Sequence, residues 1–402
     1  MRTGIATVPL DYGKCPHWLF ERMKRLSRGI ILTIVEEFGV KEVLKRLSDP
    51  VWFQSLGCTI GFDWNSSGLG TTTMGALKEG LRGLESELGI FICGGKGKTS
   101  RKTPQQIQEW GEFLRLPMEK IDELVYASKI SAKVDGCLIQ DQFQIYAHNL
   151  IFTKDGQWNV IQQGMNTDLQ KARRYHWLSL NVKDFVEEPH SGIISDIKLK
   201  PLNLVAKESR ENKEISTELV KDEPKTFLKD IKLISEKLAP YRTCVPRREP
   251  VLLRGSGAGS NALMKQKRFS GFTEMELNNV EFHWHPILKE KFDLKRLEKT
   301  IFFANSQEPE NFEELLSLKG VGPKTIRALS LVSEVIYGAK PSYEDPARYS
   351  FAHGGKDSTP FPVNKSVYDA TLAIIERGIK KSKISNREKV KAKRRLNKAI
   401  TY

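Results

Sequence analysis

Residues 312–338 read FEELLSLKGVGPKTIRALSLVSEVIYG and predict two short helices joined by a glycine turn. Gly320 and Gly322 suit a tight turn, since glycine adopts backbone angles that other residues avoid. Pro323 suits the first position of a second helix, because its φ angle is fixed and its missing N–H is not needed there. Apolar residues then recur at helical spacing and give that helix a buried face (Ile326, Leu329, Leu331, Val332, Val335). The chain therefore contains a helical region near its C-terminal end.

The pattern L-x-x-L-x-G-V-G-P-K-T in this segment resembles the helix-hairpin-helix motif of DNA glycosylases, ligases and structure-specific nucleases. In such a motif the glycines let a phosphate approach the backbone, and free N–H groups at the start of the second helix bind it. The predicted phosphate-binding residues are Gly320, Val321, Gly322, Lys324 and Thr325. Contacts of this kind position DNA without reading its sequence. The alternative is an ordinary helical hairpin with a glycine turn.

Further segments resemble a mainly archaeal and thermophilic family known as a domain of unknown function. They are spread over nearly the whole chain: RTGIATVPL, LGCTIGFDWNSSGLGTTTMGALKEGL, GGKGKTSRKTP, QQGMN, ARRYHW, GVGPKT and DPARYSFAHGGKD. The resemblance predicts family membership and implies no activity.

Residues 140–152 alternate between two faces and predict a β-strand, with Asp155-Gly156 as a turn and residues 158–165 as the returning strand. A two-residue turn would pair position i with position 311 − i, which puts His148 opposite Gln163. One face of this hairpin would then be apolar, and the other would collect polar groups.

Polar residues in and before this hairpin suggest a metal-dependent nuclease. Asp135 and Asp141 would bind Mg²⁺ or Mn²⁺, ions that prefer carboxylate oxygens and can activate a water molecule. His148 would assist on the polar face, and Lys133 would stabilise developing negative charge.

Two other functions stay open. In the glycosylases that the 312–338 segment resembles, a lysine at the position of Lys324 attacks the sugar and a downstream aspartate assists. Here Asp345 follows Lys324 by 21 residues, but it precedes PARYS rather than the usual threonine–histidine pair. The third possibility is a DNA-binding protein without catalysis. Phosphate contacts do not distinguish DNA from RNA, so RNA is not excluded as a partner.

Basic residues dominate the charge, with 64 Lys and Arg against 49 Asp and Glu and a net charge of +15. A strongly basic chain suits a polyanionic partner. Residues 380–402 contain ten basic residues and one acid, which predicts a tail that adds salt-dependent phosphate contacts. Further phosphate contacts are predicted in the loop GGKGKTSRK, in ARRYHW and in FAHGGKD (Lys96, Lys98, Arg101, Lys102, Arg173, Arg174, Lys356).

The predicted fold class is α+β, with four regions. Residues 1–200 form a mixed domain with the antiparallel hairpin, and 201–265 form a charged helical connection with a Gly/Pro/Arg-rich loop. Residues 266–379 form an all-helical DNA-binding domain, and 380–402 form the basic tail.

The five cysteines include no C-x-x-C pair, which argues against a zinc ribbon or a disulfide framework. No apolar run long enough to span a membrane is present, and the first residues do not resemble a signal peptide. These features predict a cytoplasmic protein.

Overall fold

A computed structural model describes residues 10, 15–62, 67–195, 197–238, 292–347 and 365–400. The helices are α1 (His17–Phe38), α2 (Val40–Ser48), α3 (Pro50–Ile60), α4 (Gly68–Leu81), α5 (Glu85–Leu88), α6 (Thr103–Phe113), α7 (Met118–Cys137), α8 (Arg210–Lys221), α9 (Pro224–Leu238), α10 (Leu294–Ser306), α11 (Phe312–Ser317), α12 (Pro323–Val335), α13 (Lys365–Lys381) and α14 (Asn386–Ile400). The strands are β1 (Ile90–Lys96), β2 (Ile139–Gln140), β3 (Gln144–Thr153), β4 (Trp158–Asn166), β5 (Lys171–Leu178), β6 (His190–Ile194) and β7 (Leu202–Asn203). This combination confirms the α+β class.

A five-stranded antiparallel sheet in the order β1-β3-β4-β5-β6 forms the middle of the protein. Both of its faces are covered. On one face Ile92, Ile151 and Ile161 pack with the N-terminal helices, and on the other Phe91, Leu150 and Val160 pack with α7. Both faces of the sheet are therefore buried, whereas the sequence predicted one apolar and one polar face for the β3–β4 hairpin.

The N-terminal helical layer contains α1 to α4 and is completed by the last two helices of the chain. Ile375 and Ile379 of α13 pack in the same core as Ile30 of α1, and Ala392 and Leu396 of α14 are buried there as well. The predicted basic tail is therefore largely a helix packed on the protein rather than a free arm.

The second helical layer packs on α7 and contains α8 to α12. Leu219 of α8 and Ile231 of α9 share one core with Leu315 of α11 and Leu329 of α12. Residues 210–238, expected in a charged connection, thus belong to the packed layer. The rest of that expected connection, residues 239–265, lies outside the described residues.

The β3–β4 hairpin forms, but its predicted register is wrong by one residue. Its loop has three residues rather than two, and a hydrogen bond of 2.9 Å from Thr153 N to Gln157 O closes it. His148 therefore pairs with Gln162, and Gln163 points to the opposite face. A bulge between Ile145 and Ala147 shifts the pairing again.

In the described ranges, no helix has both the length and the apolar character that crossing a bilayer requires.

Candidate nucleic-acid interface

The segment singled out in the sequence forms two helices joined by a turn, and we call residues 312–335 the glycine hairpin. Asn311 caps α11, since its side-chain oxygen accepts a hydrogen bond of 2.9 Å from Glu314 N. Gly320 lies in the turn with φ at +92°, a conformation that favours glycine. Gly322 is the extended N-cap of α12, and Pro323 is its first residue. The predicted helices are confirmed.

The turn and the first residues of α12 face solvent. Lys319, Gly320, Pro323 and Lys324 are exposed. No side chain caps α12, and the N–H groups of Lys324 and Thr325 precede its first hydrogen bond, from Ile326 N to Gly322 O, so they can bind an anion. The side chains of Val321 and Thr325 are buried, so only their backbone can contribute to such a site.

Two side chains from α7 and β2 hold the glycine hairpin in place. Lys133 Nζ donates to Leu318 O at 2.6 Å and also to Leu316 O, at the end of α11. Gln140 Nε2 donates to Pro323 O at 2.9 Å. Burial lowers the pKa of Lys133. Lys133 thus positions the hairpin, whereas the sequence suggested that it would stabilise charge beside Asp135.

Lys324 and Asp345 are not brought together. Lys324 is exposed, and no hydrogen bond or ion pair joins it to Asp345. Asp345 is instead buried against Arg173, with distances of 2.7 Å from Nη2 to Oδ2 and 3.0 Å from Nη1 to Oδ1. It also accepts hydrogen bonds from Leu199 N and Ala347 N. In this arrangement Asp345 has a structural role.

Arg173 joins Asp345 to a second carboxylate, that of Asp141. Arg173 Nη1 lies 2.8 Å from Asp141 Oδ2, which also accepts a hydrogen bond of 2.7 Å from Tyr175 Oη. Burial raises the pKa of Asp141. Burial alone would lower the pKa of Arg173, but the two carboxylates raise it by more, so the guanidinium stays charged. This cluster connects the central sheet to the segment that follows α12.

Asp135 lies in a separate buried cluster under α7. It accepts hydrogen bonds from His190 Nε2 at 2.5 Å, from Trp177 Nε1 at 3.1 Å and from Gln162 Nε2. Gln162 Oε1 in turn lies 2.8 Å from Nδ1 of His148.

Ser128 Oγ lies 2.9 Å from the other ring nitrogen of His148 and completes the chain of hydrogen bonds. Ser128 is 2% exposed and His148 is 5% exposed. Burial lowers the pKa of His148, which favours the neutral ring. A serine, a histidine and a carboxylate are therefore linked, and all three side chains are buried inside the protein.

The predicted metal ligands do not converge. Asp135 and Asp141 belong to the two different clusters, and their oxygens already accept hydrogen bonds. In the part of the chain that the structure describes, no three His, Cys, Asp or Glu side chains could hold a metal ion together. A requirement for Mg²⁺ or Mn²⁺ stays a prediction.

Arg173 and Arg174 were expected to contact phosphate, yet both are buried in β5, an interior strand of the sheet. Arg174 points to the face opposite Arg173, where Nε lies 2.8 Å from His176 Nε2 and Nη2 lies 2.8 Å from Gln54 Oε1. Burial lowers the pKa of Arg174 to about 9, and no described carboxylate pairs with it. Neither guanidinium is available to a nucleic acid in this conformation.

The segment that joins β1 to α6, which we call the basic loop (residues 96–102), consists of the last residue of β1 and a 3-10 helix over Gly97–Lys102, and it is accessible. Lys96, Lys98, Arg101 and Lys102 are exposed. None of these four side chains forms an ion pair with a carboxylate among the described residues. Lys96 Nζ lies 5.6 Å from the ring centroid of Tyr146. Lys356, the remaining predicted phosphate contact, lies outside the described residues.

Sequence reasoning missed Gln162, Tyr175 and His190, which complete the two buried clusters. The alternation of β3 and β4 could have indicated Gln162 if the loop had been assigned three residues. No local pattern marks His190, whose contact with Asp135 spans 55 residues.

Comparisons with curated proteins and with solved structures found no match. The model of the family described as "Protein of unknown function (DUF763)" matches residues 4–363. That match spans most of the 402 residues, so the chain belongs to this family.

Proposed function

We propose that this protein binds DNA through the glycine hairpin, as a cytoplasmic protein of DNA repair or recombination. The observation that carries the proposal is the exposed and uncapped first turn of α12 behind the Gly320-Val321-Gly322 turn. Backbone N–H groups at such a helix start attract a phosphate, and the helix dipole adds to the attraction.

Charge near the turn supports a polyanionic ligand. Lys319 and Lys324 are exposed and form no ion pair with any described carboxylate. Gly320 lies beside Thr300 of α10, and the same helix carries the exposed Arg296 and Lys299. Contacts from these groups to phosphates would position DNA without reading its bases.

A charge-reversal experiment tests the proposal. Fluorescence anisotropy would measure binding of a labelled 24-bp duplex to wild type and to the variant K319E/K324E. We expect an affinity loss of at least about tenfold, or about 1.4 kcal/mol, and a smaller salt dependence.

The control is K340E, which reverses one exposed lysine beyond the other end of α12 and carries half the charge change of the double variant. The 13 residues of α12 place that end about 20 Å from the turn. Circular dichroism would confirm that each variant is folded. A loss of binding free energy in K340E that reaches half the loss in K319E/K324E would refute the proposal, because general attraction would then explain binding. Equal affinity for an RNA duplex would assign the site to nucleic acid in general.

The two enzymatic predictions can be tested on the same DNA. A denaturing gel with Mn²⁺ or with chelator would reveal metal-dependent cleavage, and borohydride trapping on abasic DNA would reveal a lysine nucleophile. The nuclease and the glycosylase each require carboxylates that the structure buries, whereas DNA binding by the glycine hairpin requires no buried side chain.

A further inference from the structure

The basic loop is held rigidly at one end of the sheet. Gly94 has φ at +95°, and a Cβ atom there would lie 2.2 Å from His148 O, so only glycine fits. Gln106 Oε1 accepts hydrogen bonds from Gly94 N at 2.8 Å and from Lys78 Nζ at 2.9 Å. Lys78 Nζ also donates to Gly94 O at 2.9 Å. A loop fixed in this way loses little conformational entropy when it binds.

The same short stretch of chain holds both the basic loop and the glycine hairpin. Ala147 pairs with Lys96 in the sheet, and Gln140 donates to Pro323 O at the start of α12. Seven residues separate Gln140 from Ala147, a span of at most about 25 Å. The pairing of Ala147 with Lys96 adds about 5 Å, and the contact from the backbone of Gln140 to Pro323 adds about 10 Å. Lys96 at the start of the basic loop and Pro323 at the start of α12 are therefore at most about 40 Å apart.

That distance fits one stretch of duplex. B-form DNA advances about 3.4 Å per base pair, so 40 Å corresponds to about 12 base pairs, a little more than one helical turn. Both elements are also connected to α7. α6, which follows the basic loop, packs against α7, and α7 carries the glycine hairpin.

We propose that the basic loop is a second phosphate-binding element, and that the protein contacts one DNA duplex at two points within about 12 base pairs. This inference rests on the proposed function of the glycine hairpin. It adds a minimum duplex length and a second set of contacts, those of Lys98, Arg101 and Lys102.

The experiment compares duplex lengths of 8, 12, 16 and 24 base pairs in the anisotropy assay. We expect wild-type affinity to rise steeply up to about 12 base pairs and only slowly beyond. The variant K98Q/R101Q/K102Q should bind the 24-bp duplex at least about tenfold more weakly than wild type. Its salt slope should fall by between about 1 and 3, because each lost phosphate contact lowers it by about 0.9. On duplexes shorter than the length at which wild-type affinity stops rising steeply, which cannot reach both elements, it should match wild type within about twofold.

A matched control removes three lysines at the opposite end of the sheet. Lys41, Lys154 and Lys183 are exposed and lie near the β3–β4 turn or after β5. The variant K41Q/K154Q/K183Q carries the same change in net charge and should bind the 24-bp duplex like wild type within about twofold.

Two results would overturn the inference. Equal losses in the loop variant and the control variant would mean that only net charge matters, and the same fold-loss at every duplex length would mean that the two elements do not share a duplex. The proposed function fails separately, if K319E/K324E keeps wild-type affinity while the loop variant loses it. In that case the basic loop binds DNA without the glycine hairpin, and contact at two points is excluded.

Discussion

Replacing Arg173 by methionine should destabilise the protein strongly, because the change leaves two buried carboxylates without their shared cation. Arg173 is 0% exposed, and the side chains of Asp141 and Asp345 are 1% and 3% exposed. Methionine fills a similar volume, so lost packing contributes little. The main effect is the cost of a buried negative charge that no cation offsets.

Removing one partner of a buried ion pair typically costs about 3–5 kcal/mol. Burial already raises the pKa of Asp141, so this carboxyl can take up a proton and limit the cost. We therefore expect a loss of about 4 kcal/mol near pH 8. With a urea m value of about 3 kcal/mol per molar, the midpoint would fall by somewhat more than about 1 M.

The sign of the pH dependence follows from the same groups. Without Arg173, the folded-state pKa of Asp141 lies further above its unfolded value. The destabilisation is then small at pH values where Asp141 is protonated in both the folded and the unfolded state, and it grows as pH rises through the folded pKa. The difference between wild type and R173M should therefore shrink between pH 8 and pH 5.

The neighbouring variant R174M is the control, since Arg174 is equally buried in the same strand but has no carboxylate partner among the described residues. Its loss should stay below about 2 kcal/mol, the value of a few hydrogen bonds. Urea unfolding of both variants at pH 5 and pH 8 gives the comparison. Equal losses in R173M and R174M, or a loss for R173M that does not depend on pH, would refute the reasoning.

Three further predictions concern single side chains. K133M leaves two carbonyl groups of the glycine hairpin without their hydrogen-bond donor. Amide hydrogen exchange in residues 315–320 should therefore become faster, and DNA affinity should fall at least about threefold. Unchanged exchange would contradict the positioning role of Lys133. Burial lowers the pKa of His148, so its contribution to stability is present above the unfolded value of about 6.5 and is lost as pH falls. Unfolding between pH 7 and pH 5 should depend less on pH in H148N than in wild type, and an equal dependence in both would contradict this prediction. G94A should lower the free energy of unfolding by more than about 2 kcal/mol, because its Cβ would collide with His148 O. The control G83A places its Cβ in open space at φ +82° and should lower that free energy by only about 1 kcal/mol. Similar thermal melts of the two variants would show that contact with His148 O does not matter.

Local sequence patterns predicted the parts of the fold that local interactions determine. The spacing of Leu315, Ile326 and Leu329 predicted both helices of the glycine hairpin, because helix formation and burial there follow the same period. The register of β3 and β4 was missed by one residue, since Asp155-Gly156 fits a two-residue turn and a three-residue loop equally well.

The buried clusters could not be read from the sequence, because their partners are distant along the chain. Arg173 and Asp345 are 172 residues apart, and nothing near either residue indicates the other. Arginines between aromatic residues suggested a surface for nucleic acid, yet β5 is the fourth of five strands and is covered on both faces.

The many basic residues near the C-terminus led to the wrong prediction of a free tail. Ten basic residues in residues 380–402 suggested a solvated arm. Ala392 and Leu396, four residues apart, form the buried stripe of α14 and were the available signal for a packed helix.

The packing of α13 on α1 sets the order in which the protein can be completed during synthesis. Lys381 pairs with Glu36 at 2.7 Å and Arg377 pairs with Glu37 at 3.2 Å, across almost the whole chain. A ribosome adds about 5–20 residues per second, so α1 leaves it some tens of seconds before its partner helix exists. Throughout that interval the apolar side of α1 around Ile30 has no cover from α13. The nascent chain thus offers chaperones a binding surface that disappears only when the last helices emerge.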